Sequence, residues 1–408
     1  MWIFYFFALI VIWLGLASLR GGLGFRSYVR IELSKPISTF TPFVSLFAPC
    51  CGFDQGLREN LGALFSQNYP AYEIIFVTGS ADDSAIAVIE EVCREYSHLS
   101  DIESRIVFAG KATDCGQKVH NLRAAVTEAN ALSEVFVFVD SDARPVANFL
   151  SSLVAPLADT RIGAATGYRW FIPERGGFSS YLRAVWNASI ASALGARGDK
   201  NFCWGGATAI IRALFERLDM LEQWRGTASD DFTLTRALQR EKLPIYFVPA
   251  CLTACVEDCD FKELLEFTTR QLKITRVYAS HLWIAVLLGS ALFVLVFFGG
   301  IALVITRAAL GLSYAVPLAL LVLIFTLGAL KALLRLRAVG STVGLHAGST
   351  FRPALMHLTL WPLASVLYLY NAIAALCSRT IHWRGITYEL KSPTETVMIR
   401  NEKQQEVN

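Results

Sequence analysis

The sequence predicts an α/β domain whose mostly parallel sheet carries helices on both faces, set between apolar helices that span a membrane. Two observations lead there. Between Phe43 and about Val256, short β-branched and aromatic runs alternate with segments of helical period, the pattern of a parallel sheet. Outside that region the chain is nearly continuous apolar sequence, and 54% of its 408 residues are hydrophobic against 17% charged, too apolar for an ordinary soluble protein. The formal net charge of +3 gives no case for nucleic acid. Nine cysteines without regular spacing do not make a disulfide framework. Neither Cys50-Cys51 nor the group Cys251, Cys255 and Cys259 has a histidine at ligand spacing, so both read as ordinary thiols.

Met1–Ser18 is almost wholly apolar, and its basic residues come after it at Arg20, Arg26 and Arg30. A cleaved leader carries its charge first. Residues 1–19 therefore read as a membrane anchor, and the positive-inside rule puts the α/β domain in the cytoplasm. That domain occupies residues 40–256. Its strands are expected at Val44–Pro49, Tyr72–Thr78, Arg105–Ala109 and Val135–Val139, and its helices at Asp54–Ser66, Ser84–Glu95 and Gln117–Asn130. Ligands of such sheets bind beyond the carboxyl ends of the strands. Asp82 and Asp83 come after the second strand, and Asp140 and Asp142 after the fourth, so both pairs are expected to line one crevice.

The fourth strand stops at Asp140-Ser141-Asp142. Side chains at i and i+2 of an extended backbone point the same way. Two carboxylates so placed suit a hard cation, Mg²⁺ or Mn²⁺, which shares its oxygen ligands with substrate phosphates. As a tripeptide alone it is equally a polar turn.

The motifs extend along most of the chain. Leu57–Pro70 lies after the first strand, Glu73–Val77 leads into Asp82-Asp83, and Gly116-Gln117-Lys118 stands before Asn121. Asp140-Ser141-Asp142, Ser229-Asp230-Asp231 and Trp383-Arg384-Gly385 come after. In order and spacing they resemble a family 2-type nucleotide-sugar glycosyltransferase of GT-A fold, and more narrowly the ceramide glucosyltransferases and their bacterial relatives. The resemblance implies an enzyme that moves a hexose, glucose first, from a UDP-sugar to a lipid hydroxyl with inversion. It implies Asp140 and Asp142 as metal ligands and Asp82 or Asp83 on the uracil or ribose. It implies Lys118 near the phosphates, Trp204, Gly205 and Gly206 beside the donor sugar and acceptor, and Asp231 as the base, with Asp230 orienting the loop or acceptor. The structural alternatives are caps for Asp82, Asp83, Ser229 and Asp230, a solvated helix lysine for Lys118, and a plain turn for Gly205-Gly206.

Residues 257–282 read as a basic amphipathic helix at the membrane surface, with Phe261, Leu264 and Leu265 on one face and Arg270, Lys273 and Arg276 on another. The family's Gln/Arg-x-x-Arg-Trp segment falls here as Lys273-Ile274-Thr275-Arg276-Val277, without its tryptophan. Arg276 is the phosphate-contact candidate. The stretch Phe178–Leu194 is either another surface helix or a core helix.

Residues 283–378 hold three apolar segments, Trp283–Ile305, Tyr314–Leu330 and about Leu358–Leu376. Three full spans would put Arg379, Arg384 and Lys391 on the outer side, against their charge, unless one segment is re-entrant. In the tail, 379–408, residues from Lys391 onward are polar and expected to be disordered. Other acceptors, a hopanoid or a diacylglycerol, and a non-catalytic domain that binds nucleotide or lipid are the alternatives. A transporter is disfavoured by the large α/β insert.

Overall fold

The computed structural model describes residues 1–36, 38–53, 56–340, 342 and 351–399. Two compact units emerge, one built on a sheet and one of helices.

The sheet unit takes in residues 32–170, 194–255 and the tail from Arg379. Its seven strands are β1 (Val44–Pro49), β2 (Tyr72–Thr78), β3 (Ile102–Phe108), β4 (Val135–Phe138), β5 (Ala164–Ile172), β6 (Thr208–Ile211) and β7 (Ile245–Val256). Their order is β3-β2-β1-β4-β6-β5-β7. β3, β2, β1 and β4 are parallel, and β6 runs against β4 and β5. This is the mostly parallel, GT-A-type arrangement expected. β1, β2 and β4 are buried along their whole length, which is why they read as unbroken apolar runs. β3 has only exposed and half-buried positions, as an edge strand does, and begins at Ile102, ahead of the expected Arg105. The first helix is Leu57–Phe65; Asp54, where it was expected to begin, lies outside the described residues.

The core centres on aromatic rings. Phe47 packs edge-on to Phe136, Phe138 against Trp224, and Phe215 against Trp224, at centroid distances of 5.3, 5.6 and 5.2 Å. Such pairs add about 0.5–1.5 kcal/mol each beyond the area they bury. The Trp224 indole N–H donates to the carbonyl of Asp230, 3.2 Å away, so this core also fixes the start of the helix Asp230–Arg240.

The tail corrects the sequence reading. It forms a three-stranded antiparallel sheet of β8 (Thr380–Trp383), β9 (Ile386–Ser392) and β10 (Glu395–Ile399), so the stretch expected to be disordered from Lys391 is ordered as far as Ile399, and the rest of that stretch lies outside the described residues. Ile381, Tyr388 and Leu390 are buried.

Among the described residues three helices are long and apolar enough to cross a membrane: Trp2–Leu33, Ser280–Ala309 and Ala315–Val339. The pair Phe351–Thr359 and Trp361–Cys377 bends by 57° at its break, the geometry of a broken span or a re-entrant loop. The basic helix Phe261–Tyr278 starts at a capping box made by Asp260 and Glu263. Its residues Leu264 and Leu272 pack with Leu182, Trp186 and Leu367. The helix Phe178–Ala191 is buried from Ser180 to Ala188, which makes it a core helix of the helical unit.

Candidate functional site

β4 ends at Phe138, and the chain turns through Asp140-Ser141-Asp142. Asn60 holds that turn, donating to the Ser141 carbonyl at 3.2 Å and accepting from Arg144 Nε at 3.0 Å. Lys118 lies on the first turn of the helix Gln117–Thr127. Its ammonium sits 2.7 Å from Asp140 Oδ1 and 3.3 Å from Asp230 Oδ1. Arg169, on β5, reaches Asp140 Oδ2 and Asp142 Oδ2, each at 3.4 Å. Its guanidinium lies 4.9 Å from the centre of the Trp204 ring.

The loop before β6 is fitted around these groups. Trp204 N–H donates to Thr166 Oγ1 at 3.0 Å, and Cys203 N–H to Thr235 Oγ1 at 2.9 Å. Gly205 N–H donates to Asp231 Oδ2 at 3.2 Å. A Cβ on Gly205 would stand 2.5 Å from Asp230 Oδ2 and 2.6 Å from Lys118 Nζ, so only glycine lets the loop pass so close to the ion pair. On Gly206 it would meet the Trp204 ring at 2.2 Å.

Ser229 caps the helix Asp230–Arg240, accepting from Phe232 N–H at 3.2 Å, as its position predicts. Its hydroxyl donates to Asp231 Oδ1, which also accepts from Phe232 N–H at 2.7 Å. Asp231 Oδ1 is therefore saturated, while Oδ2 accepts only the Gly205 N–H among the described residues. Asp231 is partly exposed and Asp230 is buried.

Burial works against every charge in the cluster, and pairing decides the outcome. Burial alone would lower the Lys118 ammonium, but Asp140, Asp230 and Asp231 outweigh it and hold it well above its ordinary value. Burial acts to raise Asp140, yet Lys118, then Arg169 and least Arg384 keep it below the usual carboxylate range. Asp230 goes the other way. Burial, with the repulsion of Asp231 and Asp140, pushes it to about 6 against the pull of Lys118.

Asp140 and Asp142 fit a hard divalent cation. They offer carboxylate oxygens from one turn, and the cations around Asp140 keep it ionised, the state a metal requires.

Of the expected site residues, Lys118, Asp140, Asp142, Trp204, Gly205, Gly206, Asp230 and Asp231 meet in this one cluster. Asp83 is occupied by backbone, its Oδ1 accepting from Gly52 N–H at 2.8 Å and Ala85 N–H at 2.9 Å. That is the capping alternative, and it ties the loop after β1 to the loop after β2. Asp82 is exposed. Arg276 belongs to the helical unit, where it donates to the carbonyls of Ala375 and Leu376 at the end of the helix Trp361–Cys377. It lies over the ring of Trp283, 5.4 Å from its centre. There the guanidinium closes a helix C-terminus.

The sequence reading missed Arg169. Its signal was one cation inside the buried strand Ala164–Ile172, which demands a carboxylate partner.

The family model of glycosyl transferase family 21 matches residues 1–396. Ceramide glucosyltransferases 3 and 1 of Caenorhabditis elegans are 27% and 28% identical over 122 residues, which is 28% and 29% of this chain. The chain spans 26% of the length of each of these relatives. Among solved structures, the mannosyltransferase PcManGT from Pyrobaculum calidifontis, in complex with GDP-Man and Mn²⁺, is 18% identical with a TM-score of 0.45. That alignment covers 91% of this chain and 99% of the other. With a match that runs from residue 1 to residue 396, the chain belongs to glycosyl transferase family 21.

Proposed function

We propose that this protein moves a hexose, glucose before others, from a UDP-sugar to the hydroxyl of a membrane lipid, a ceramide-like one before others, with inversion at the sugar carbon. The observation that carries the reading is the cluster of four carboxylates around Lys118 and Arg169 beyond the carboxyl edge of the sheet, in a family 21 chain. The names of the relatives, ceramide glucosyltransferases, favour glucose as the sugar and ceramide as the acceptor class. The apolar helices give a lipid acceptor a physical rationale, and Arg20, Arg26 and Arg30, in the carboxyl-terminal part of the first of them, favour a cytoplasmic sheet unit.

Asp140 and Asp142 would hold Mg²⁺ or Mn²⁺, which when bound neutralises the leaving diphosphate. Lys118 adds a fixed positive charge beside that diphosphate, and Asp230 keeps the ammonium in place. Asp231 takes the acceptor proton on Oδ2 as the hydroxyl oxygen attacks the sugar carbon, and the bond to the diphosphate oxygen breaks. The hydrogen bonds on Oδ1 hold the carboxylate at a fixed angle for that transfer. Gly205 and Gly206 let the backbone approach the sugar without a side chain between them.

The test is the full-length chain in lipid bilayers, given a panel of UDP-sugars and a membrane lipid extract, with products read by mass spectrometry. A monohexosyl lipid formed with release of UDP is expected, fastest with UDP-glucose and ceramide. A product on hopanoid or diacylglycerol moves the acceptor. No glycolipid from any UDP-sugar overturns the reading.

A further inference from the structure

We propose that Asp114, Cys115 and His120 form a second metal site, for Zn²⁺ or a cation of similar softness, where the loop after β3 enters the helix that carries Lys118. Nothing in the site depends on the transferase reading above.

β3 ends at Phe108, and the chain loops through residues 109–116 before the helix Gln117–Thr127. Gln117 folds that loop back onto the helix. Its Oε1 accepts from Ala112 N–H at 2.9 Å, and its Nε2 donates to the Gly110 carbonyl and to Asn121 Oδ1, each at 2.8 Å. At the other end of the loop, Gly116 N–H donates to the Thr227 carbonyl at 2.8 Å, and a Cβ on Gly116 would stand 3.1 Å from Ala228 Cα. Held at both ends, the loop sets Asp114 and Cys115 beside His120, near the start of the helix. A carboxylate oxygen, the thiol sulfur and an imidazole nitrogen, one from each residue, all lie within 4.8 Å of one another. Tetrahedral bonds of about 2.0–2.3 Å keep the ligands of Zn²⁺ roughly 3.3–3.8 Å apart, so the three atoms need only close around the ion.

The histidine is set up as a ligand. Its Nε2 lies 2.9 Å from the Ala109 carbonyl oxygen. A carbonyl only accepts, so Nε2 carries the ring proton and Nδ1 keeps its lone pair. Metal-binding histidines are oriented by this kind of bond from the other ring nitrogen. Exposure grades across the group: Cys115 is buried, His120 is half-buried, and the Asp114 side chain is 52% exposed. The sulfur is thus the floor of the site, and the carboxylate faces the solvent from which an ion arrives. Arg123 stands 3.9 Å from Asp114 Oδ1, beyond hydrogen-bond reach, so it leaves the carboxylate able to bind a metal. Water takes the fourth position.

The donor atoms choose the metal. Sulfur and imidazole nitrogen suit Zn²⁺, whereas the all-oxygen pair Asp140 and Asp142 suits Mg²⁺ or Mn²⁺. As the metal–sulfur bond forms, the Cys115 thiol gives its proton to solvent, while the imidazole binds through its lone pair. The bound ion ties the loop to the helix of Lys118.

The experiment titrates Co²⁺, a spectroscopic substitute for Zn²⁺, into the chelator-treated full-length chain in detergent. The readout is the near-ultraviolet thiolate-to-cobalt charge-transfer band and its displacement by Zn²⁺. The variants are Cys115→Ser, Asp114→Asn, His120→Gln and Asp142→Asn. The unaltered chain should show the band for one equivalent of metal, Cys115→Ser should abolish it, and Asp142→Asn should keep it. Asp114→Asn and His120→Gln should weaken binding by at least the roughly 10- to 100-fold that loss of an outer partner of a ligand already costs. Glutamine retains a donor for the Ala109 carbonyl, and Asp114 is exposed, so these two variants test the site even if Cys115→Ser fails to fold. Absence of the band in the unaltered chain overturns the proposal, and so does an equal band in Cys115→Ser. Unchanged affinity in either Asp114→Asn or His120→Gln also overturns it, because the site would then not be the three-residue one.

Discussion

The two ends of the seven-stranded sheet treat buried charge in opposite ways. Near its amino end, Glu73 on β2 is fully buried. Its carboxylate accepts from the Ser45 hydroxyl, the Asn130 N–H and the Arg105 guanidinium. One negative charge meets one positive charge, and every donor comes from a neighbouring strand or loop. Beyond the carboxyl end, Asp140, Asp142, Asp230 and Asp231 crowd around Lys118 and Arg169. There the negative groups outnumber the positive ones, and Asp230 answers by holding its proton up to about pH 6. A balanced buried pair is a means of holding strands together. An unbalanced cluster, expensive to keep without a ligand, is the arrangement of a site that waits for a cation and an anion.

Changes at the two ends should therefore separate stability from function. The largest effect is expected for Asp231→Asn, which keeps side-chain size and helix-start preference. Turnover should fall by about 10² to 10⁴-fold while UDP affinity stays near normal. Loss of both would make Asp231 a structural or donor-site residue, and near-normal turnover would move the base to Asp230.

Next comes Asp142→Asn. Mn²⁺-dependent UDP binding should drop by at least the roughly 10- to 100-fold that losing an outer partner of a metal ligand already costs. Calorimetry with and without the metal reads this directly, and an unchanged metal response removes the pair from the site.

The smallest functional effect belongs to the other end. Glu73→Gln should lower stability by about 1–3 kcal/mol in urea titration, the cost of disturbing a buried hydrogen-bonded charge, with UDP affinity unchanged. A fall in UDP affinity at unchanged stability would erase the distinction between the ends.

Much of this edge was legible in the chain. β1 and β2 lie where their apolar runs put them, Asp140 and Asp142 were named from a strand end, and Asp230 and Asp231 from the order of motifs in the family resemblance. Local pattern carries that information, because strand burial and helix capping are decided within a few residues. Pairings distant in sequence were not legible. Nothing near Arg169 announces that its partners lie 27 and 29 residues earlier. The tail misled for a related reason. Its polar residues after Lys391 are ordered by pairing with β9, whose Tyr388 is buried and held by Gln117 far back in the chain. Trp283 beside Arg276 is a third case, a pairing between two helices.

The position of β8–β10 in the chain has a biosynthetic consequence. These strands come after the last apolar helix, yet the segments they are anchored to, Gln117 and Gly226, precede the second long apolar helix, Ser280–Ala309. The edge around Lys118 and Asp230 is completed only after the ribosome has made every apolar helix. During synthesis, the nascent sheet unit lacks its final three strands while those helices enter the membrane. Maturation of the site is thus timed to come after insertion, and a chain stalled before Thr380 lacks Tyr388, which anchors the edge.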